Sequence, residues 1–498
     1  MKRALIITAI ILLIAAVVGI VLLGNFMLNN YAETGSIFGS SPDISGSFWD
    51  KLFGKNEPEV PEDWQELVNE ENFKFEELSD DTIGVKLIYD DGDDILVIPE
   101  EYNGKPVTAL LSVTYGAHPN AKIKKLIIPD SITEIEYGAF GEFPLLEEII
   151  IGNGLKTIPE SAFKNAVSLT SVTIGNSVTK IDDYAFENCY SLTKIAIPDN
   201  VEMIGEFAFS KCRSLKQVTL GKGVKEISRY AFAGCGELSE INLNEGITRI
   251  GERAFLYTNM TRIHIPASVT QLASGFLISS ELNSITVDPN NTKYYSTNNC
   301  LIEKYTNVLV LGSNTSIIPD DGSVATIGPY AFYNLKITNI TIPQAIKQLG
   351  DHAFSNCTSL QNIDLPLGLQ VIGTSAFSNC DSLKKIELPA SISEISSGVL
   401  GGCDSLEEIS IPSTVQSILG SAFKGCTSLH TIYLPTSIEE LSLPAFSNCS
   451  ALKNVYYTGT MEQWEAIKKF PVIDSGETTP HFTVVCADGE IDFKGVTL

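Results

Sequence analysis

The chain has 498 residues, of which 60 are acidic and 34 are basic, and its formal net charge is −26. A surface this negative repels phosphate backbones, which argues against nucleic acid as a partner. Hydrophobic residues make up 44% of the chain and charged residues 19%, so most of its length can form a packed core.

A long uncharged segment begins immediately after Lys2 and Arg3 and covers residues 4–24. At about 1.5 Å per residue, a helix of this length spans roughly 30 Å, the thickness of a bilayer core. We therefore predict that residues 1–24 are a membrane anchor or signal and that residues 4–24 contact the membrane. The N-terminus would be cytoplasmic and the rest of the chain extracellular. If the segment is instead a cleaved signal peptide, the chain is secreted.

Two segments precede the regular part of the sequence. Residues 25–60 are rich in Gly, Ser, Asn and Pro without sustained periodicity, which predicts a flexible linker. Residues 61–122 are assigned to an N-terminal cap and hairpin. The acidic run DDGDD, Asp90 to Asp94, lies there between the strand-like runs KLIY and ILVIP. A hairpin turn is the favoured interpretation of this run, and calcium binding through its carboxylates is the alternative.

The rest of the chain is dominated by an internal repeat. Its clearest marker is a phenylalanine that recurs every 23 residues from Phe140 to Phe255. The spacing slips at Phe276, and the marker resumes with Phe332 after an insertion. A regular period of about 20–29 residues is typical of a solenoid. The two predicted repeat blocks are residues 123–276 and 315–451.

One repeat, LTKIAIPDNVEMIGEFAFSKCRS, shows how a coil is expected to fold. Ile195 and Ile197 alternate with exposed positions, as in a half-buried strand. Pro198 has no N–H and ends the strand. The segment EFAFSKC is expected to return as a short helical turn. Stacked coils would then align their strands in a parallel β-sheet, about 4.8 Å apart.

Two positions of the repeat are predicted to form columns in the core. Burial of one phenylalanine contributes roughly 1.5–3 kcal/mol. The predicted Phe column is Phe140, Phe163, Phe186, Phe209, Phe232, Phe255, Phe354, Phe377, Phe423 and Phe446. The predicted Cys column, three residues further on in each repeat, is Cys189, Cys212, Cys235, Cys357, Cys380, Cys403, Cys426 and Cys449.

Three roles are possible for the Cys column: packing, disulfide bonding and metal binding. Other repeats place Phe143, Ala166 and Leu335 at the same position, which favours packing of cysteine as a small hydrophobic residue. Stacked neighbours would have parallel Cβ vectors, unlike a disulfide. One cysteine per coil does not supply the converging ligands that zinc needs. Cys300 and Cys486 lie outside the column, and their redox state is left open.

The repeat motif IxIPxxVxxIGxxAFxxCxxL is seen in ITIPQAIKQLGDHAFSNCTSL, from Ile340 to Leu360. This motif resembles the BspA-like, or treponemal-type, leucine-rich repeat family. The resemblance covers about residues 82–486 and implies a leucine-rich repeat solenoid. Members of that family are surface-exposed or secreted proteins, some of them implicated in adhesion to host proteins or other cells. The resemblance therefore implies a cell-surface protein without naming its ligand.

Three further segments resemble features of the same family. DTIGVKLIYDDGDDILVIPEEYNGKPVTAL is similar to the hairpin that opens such arrays. The resemblance also implies a hairpin insertion in residues 277–314. A C-terminal cap is implied in residues 452–498, where an amphipathic helix carrying Met461, Trp464 and Ile467 would cover the last coil.

The sequence offers little for catalysis. It contains no GxSxG nucleophile elbow, no Walker loop and no HExxH pairing among its five histidines. We therefore predict that the chain is not an enzyme and needs no cofactor.

Solenoids bind partners on their exposed surfaces, so the outward strand positions are the candidate site. They include Arg262 and His264, and near the C-terminus Tyr433 and Tyr456. The two tyrosines stack in one column and are candidates to contact a protein or glycan; cross-strand packing is the alternative. The predicted function is extracellular recognition or adhesion. The alternative is a structural spacer or envelope-assembly component without a high-affinity ligand.

Overall fold

The computed structural model describes residues 68–78, 80–87, 94–112, 122–137, 143–470 and 480–494. The predicted anchor of residues 1–24 and the predicted linker of residues 25–60 lie outside these ranges. Within them, no helix is both long and apolar enough to cross a bilayer.

The repeats form a parallel β-solenoid of about 15 turns with coils of about 23 residues. Most coils contribute one strand to a set that we call the front strands. Most adjacent members of this set pair in parallel, as Lys194–Ala196 does with Gln217–Thr219 one repeat later. The front strands are Ile95–Val97, Lys125–Ile128, Glu148–Ile151, Ser171–Thr173, Lys194–Ala196, Gln217–Thr219, Arg262–Ile265, Ser284–Val287, Asn339–Thr341, Asn362–Asp364, Glu408–Ser410, Thr431–Leu434, Asn454–Tyr457 and Phe482–Cys486.

A second set of short strands follows the turn after each front strand, and we call these the side strands. They also pair in parallel from coil to coil. The side strands are Glu134–Ile135, Thr157–Ile158, Lys180–Ile181, Met203–Ile204, Glu226–Ile227, Arg249–Ile250, Gln271–Leu272, Thr326–Ile327, Gln348–Leu349, Val371–Ile372, Glu394–Ile395, Ser417–Ile418, Glu440–Ser442 and Lys468–Phe470.

The described part of the N-terminal end contains two antiparallel strand pairs. Phe73–Glu77, preceded by a 3-10 turn at Glu70–Asn72, pairs antiparallel with Ile83–Leu87. Ile83–Leu87 pairs in parallel with Lys105–Leu110, which pairs antiparallel with Glu101–Tyr102.

The strands on either side of DDGDD lie in different sheets. Ile83–Leu87 belongs to the sheet that leads to the side strands, whereas Ile95–Val97 pairs with Lys125–Ile128 among the front strands. These two strands therefore do not pair with each other as the predicted hairpin requires, and residues 90–93 of DDGDD lie outside the described ranges.

The return side of most coils is built from turns. The short helical turn predicted for EFAFSKC, residues 206–212, is therefore wrong. Phe207 and Lys211 have left-handed φ angles of 55° and 59°. The N–H group of Phe209 donates to the carbonyl of Ala231 in the next coil at 2.8 Å, and Lys211 donates to Ala233 at 2.6 Å. Alternate N–H groups thus point along the stack, where a helix would keep them within its own segment.

Two return-side segments of the described chain depart from this turn pattern. Phe255–Leu256 pairs in parallel with Leu277–Ile278 as a short return-side sheet. In the last repeat, Leu443–Phe446 forms a 3-10 helix whose second residue is Pro444.

The Phe column lies in the core. Phe209 is stacked between Phe186 and Phe232, with ring centroids 5.2 and 5.3 Å away. Phe140 lies outside the described residues. The other nine predicted members, together with Phe276, Phe332 and Leu400, are buried.

The Cys column lies beside the Phe column, and all ten cysteines of the chain are buried free thiols. Each column thiol donates a hydrogen bond to the backbone carbonyl of the residue in the Phe column one coil earlier. These Sγ···O distances run from 3.0 to 3.4 Å. Among the described residues, no group of three or more His, Cys, Asp or Glu side chains could hold a metal ion. The cysteine is thus a packing residue that also supplies a donor, which Ala and Leu at this position cannot do.

The insertion forms a three-stranded antiparallel meander of Tyr294–Thr297, Cys300–Glu303 and Val308–Leu311. Its first turn consists of Asn298 and Asn299, which both have positive φ angles. Val308–Leu311 then pairs in parallel with Thr326–Ile327, so the chain re-enters the stack.

The C-terminal end carries the helix Met461–Ala466. Thr460 caps its N-terminus in a capping box with Gln463. Trp464 is only 1% exposed and packs edge-to-face on Tyr457. The last front strand, Phe482–Cys486, pairs antiparallel with Gly489–Phe493, which forms the edge of the sheet.

Candidate functional site

The front strands present one column of exposed side chains, which we call the outer column. Strand register places neighbouring members one above the other, as Thr341 with Asp364 and Ser410 with Tyr433. Asn242, Ile317 and Glu387 take the equivalent position of the repeat motif in coils where no front strand is assigned. All members of the outer column are exposed. The outer column is Ala196, Thr219, Asn242, His264, Thr286, Ile317, Thr341, Asp364, Glu387, Ser410, Tyr433 and Tyr456.

Tyr433 and Tyr456 lie on adjacent front strands in direct register. Their rings stack with centroids 5.3 Å apart and an interplanar angle of 17°. They are 41% and 38% exposed, so each ring presents an edge to solvent while one face is covered by its neighbour. This geometry accommodates both cross-strand packing and contact with a partner.

Arg262 and His264 also contact neighbouring strands. Arg262 Nε donates to Glu240 Oε2 at 2.8 Å, and His264 Nδ1 lies 2.9 Å from Thr286 Oγ1. Seven coil spacings separate His264 from Tyr433 in the outer column, about 34 Å at about 4.8 Å per coil. The structure therefore does not bring the two predicted pairs together in one site.

A groove of about 500 Å³ lies on the front strands between these two pairs. Prediction from the sequence missed it. Its floor is formed by the front strands Asn339–Thr341 and Asn362–Asp364, and its wall by the chain that returns from the insertion. The lining residues are Asn298, Ser316, Ile317, Ile318, Pro319, Asp320, Asn339, Ile340, Thr341, Pro343, Asn362, Ile363 and Asp364.

The wall of the groove is fixed by hydrogen bonds to the insertion. Ile317 N–H donates to the Asn298 carbonyl at 3.1 Å, and Ser316 Oγ donates to the Asn299 carbonyl at 2.6 Å. Thr315 Oγ1 donates to the Asn283 carbonyl at 2.6 Å. This arrangement holds Ile317 with 70% of its surface exposed, next to polar floor residues.

The groove carries negative charge and uncommitted polar groups. It contains Asp320 and Asp364 but no Lys or Arg. In the part of the chain that the structure describes, neither carboxylate forms an ion pair or a side-chain hydrogen bond. The one hydrogen bond between floor side chains runs from Asn362 Nδ2 to Asn339 Oδ1 at 3.2 Å.

A second cavity, of about 320 Å³, lies beside the side strands Arg249–Ile250 and Gln271–Leu272. Its Lys293 and Glu303 form an ion pair of 3.1 Å with each other. Tyr294 Oη accepts a hydrogen bond from Leu272 N–H at 3.1 Å. Because these polar groups are already paired within the fold, the groove is the better candidate site.

The return side carries an aromatic and cationic column that also escaped prediction. Phe207 stacks between Tyr184 and Tyr230, with centroids 5.0 and 4.7 Å away. Arg253 continues the column, donating to the Tyr230 hydroxyl at 2.6 Å and to the Tyr330 hydroxyl at 2.8 Å. These contacts link the two repeat blocks, and they use the guanidinium group within the fold.

Strand order, coil length and columns together define a leucine-rich repeat solenoid. The family model of the BspA type leucine rich repeat region matches residues 112–212, 179–303 and 325–453, in six copies. The chain belongs to this family, as its repeat motif predicted. Proteins with this repeat are generally non-catalytic recognition scaffolds.

Solved structures agree with this assignment. The chain is similar to a leucine rich cell surface protein from Faecalibacterium prausnitzii, with 28% identity and a TM-score of 0.58, over 82% of this chain and 98% of that one. It is also similar to a leucine-rich repeat protein from Eubacterium ventriosum, with 22% identity and a TM-score of 0.52, over 84% and 100% of the two chains. No curated protein sequence matches the chain.

Proposed function

We propose that this chain is a non-catalytic extracellular recognition protein that binds a protein or glycan through its front strands. The observation that carries the proposal is the groove, where Asp320 and Asp364 form no ion pair with any described residue and lie beside the exposed Ile317. Unpaired polar groups next to an exposed apolar side chain are typical of a ligand site. Apart from Ile317 and the Tyr433–Tyr456 pair, the exposed positions of the outer column are small or polar.

The comparisons support the extracellular part of the proposal. The Faecalibacterium prausnitzii protein, described as a cell surface protein, is similar over most of both chains. In our proposal the repeats of this chain also face the exterior of a bacterial cell. Residues 4–24 would hold the chain in the membrane, or would be removed if the chain is secreted.

A structural spacer is the second candidate function. It is favoured by the contacts that Arg262 and His264 make with neighbouring strands, and by the mutual stacking of Tyr433 and Tyr456. In a spacer, such contacts would serve only to stabilise the stack.

A binding screen separates the two functions. The purified full chain is tested against extracellular-matrix proteins, neutral and acidic glycans, and intact cells. Saturable binding supports recognition, and absence of binding across the panel supports the spacer. A Tyr433→Ala/Tyr456→Ala variant is run alongside. Loss of binding in that variant would place the contact at the C-terminal end of the front strands, and retained binding would exclude that end.

A further inference from the structure

We propose that the groove binds a neutral oligosaccharide. This inference rests on the proposed recognition function and adds the chemical class of the ligand and the place where it binds. It is carried by the charge, the hydrogen-bonding groups and the apolar surface of the groove.

The charge of the groove excludes acidic ligands. Its lining contains two carboxylates, those of Asp320 and Asp364, and no cationic side chain. The whole chain carries a net charge of −26, so no long-range field offsets this local one. Phosphorylated, sulfated and uronic-acid ligands would place their charge against these carboxylates. A neutral ligand avoids this repulsion.

The polar groups of the groove match a polyhydroxylated ligand. The floor amides are partly used within the fold, since Asn362 Nδ2 donates to Asn339 Oδ1 and Asn339 Nδ2 donates to Thr338 Oγ1. Each amide group has two N–H donors and an oxygen with two lone pairs, so both residues keep further donors and acceptors, and Asn298 and the Thr341 hydroxyl add more. A sugar hydroxyl also donates and accepts. A hydroxyl that donates to the Asp364 carboxylate forms a charge-assisted bond, which is stronger than a neutral one.

The apolar part of the groove is small and lies to one side. Ile317 is exposed in the wall, beside Pro319. A pyranose ring has one face of C–H groups, and that face can cover Ile317 while the hydroxyl groups contact the polar floor. A volume of about 500 Å³ lies within the range of about 300–1,000 Å³ that small-ligand sites occupy.

A protein partner fits the groove less well. Protein interfaces use a central aromatic or arginine anchor and about 800 Å² of surface on each side. None of the groove residues is aromatic or arginine. The aromatic pair of the front strands, Tyr433 and Tyr456, lies three and four coils beyond Asp364 in the outer column.

The test measures binding of the full chain to immobilised neutral oligosaccharides, to an acidic polysaccharide such as heparin, and to a cationic peptide. The variant Asp364→Ala removes the charge-assisted acceptor, and Glu387→Ala is the matched control. Glu387 is the next residue of the outer column and lies outside the groove. We expect saturable binding to neutral oligosaccharides that weakens by about 10- to 100-fold in Asp364→Ala. We expect less than about a twofold change in Glu387→Ala.

A gain-of-function variant tests the apolar contact. Ile317→Trp enlarges the surface that would cover the sugar ring, and because the side chain is exposed the fold should tolerate the change. We expect about threefold or tighter binding in this variant and weaker binding in Ile317→Ala. Unchanged thermal unfolding temperatures would show that the effects concern the ligand alone.

Several results would overturn the proposal. Binding only to heparin, to the cationic peptide or to a matrix protein contradicts a neutral sugar site but leaves the recognition function standing. Neutral-sugar binding that is equal in Asp364→Ala, Ile317→Ala and the native chain contradicts the groove as its location. Absence of binding to these probes contradicts the inference, and absence of binding to the matrix proteins and cells of the wider screen as well contradicts the recognition function.

Discussion

The Phe column and the outer column run through the same coils, but they differ in how far their residues vary. Phe186, Phe209, Phe232 and Phe354 each stack between two equivalent rings, one in the coil before and one in the coil after. The outer column changes from Ala196 to Asp364 to Tyr433 without disturbing strand register. Packing on all sides constrains the side chains that face inward, whereas the side chains of the outer column are exposed and can change without creating a cavity in the core. The Phe column therefore specifies the fold, whereas the outer column can specify a binding activity.

The largest effect that this comparison predicts is a loss of stability from Phe209→Ala. The side chain is buried and stacked on both faces, and a truncation of this kind typically costs about 3–5 kcal/mol. Denaturant unfolding of the full chain measures the loss. Phe207→Ala is the matched control, because Phe207 lies in the same coil but is half-buried on the return side. Equal losses in the two variants would contradict the difference between inward and outward positions.

The Cys column predicts a loss of stability at alkaline pH. Burial raises the pKa of Cys357, of Cys403 and of Cys449 from 9.0 to about 12. As the pH rises, the unfolded chain releases these protons first. The contribution of these thiols to the free energy of unfolding is therefore fully present below about pH 9. Between pH 9 and 12 it falls by about 1.4 kcal/mol per pH unit for each thiol.

Replacement of the three thiols isolates their contribution from that of Lys and Tyr side chains. Alanine occupies this position naturally at Ala166. The free energy of unfolding is measured in reducing buffer from pH 8 to 11, for the native chain and for the triple variant Cys357→Ala/Cys403→Ala/Cys449→Ala. A shallower decline is expected in the variant. Identical slopes would show that the thiols ionise equally well in the folded chain.

The periodicity of the sequence was sufficient to predict which residues fill the interior of the fold. The spacing of phenylalanine fixed the coil length, and the mixture of Cys, Ala166 and Leu335 at one position indicated packing. The turn geometry was missed although its signal was present. The residue before each column cysteine is often Asn or Gly, as at Asn188, Asn356 and Gly402, and these residues have positive φ angles. Asn and Gly are the residues that adopt left-handed conformations most readily.

The groove could not be predicted from the repeat alone. Its wall depends on Ser316 and Ile317 being held by Asn298 and Asn299, which lie across the insertion. Such contacts depend on how the insertion folds back, which no repeat pattern specifies. Ile317 offered one signal, since it is a large aliphatic residue in an outer column that is otherwise small, polar or aromatic.

The tyrosine pair predicts an intermediate effect that tests its role in packing. Tyr433→Ala/Tyr456→Ala removes one stacked contact between half-exposed rings, and such aromatic pairs contribute about 0.5–1.5 kcal/mol beyond their buried area. Unfolding of the double variant, of each single variant and of the native chain gives the coupling energy. A coupling energy near zero would contradict cross-strand packing as the role of the two tyrosines. Contact with a partner would then be the interpretation that stands.

The smallest effect is expected for Arg262→Ala. Its ion pair with Glu240 is exposed, at 66% and 58% of the two side chains, and such pairs contribute about 0–1 kcal/mol and are screened by salt. Unfolding at low and high ionic strength measures this contribution, and a loss above about 2 kcal/mol would contradict the view that exposed side chains of the front strands carry little structural constraint. Asp364 is also exposed on a front strand, and among the described residues it forms no ion pair. If Asp364→Ala leaves stability unchanged while it weakens ligand binding, the role of Asp364 is to bind the ligand and not to stabilise the fold. Relatives with the same core would then differ in what they bind through the residues of the outer column.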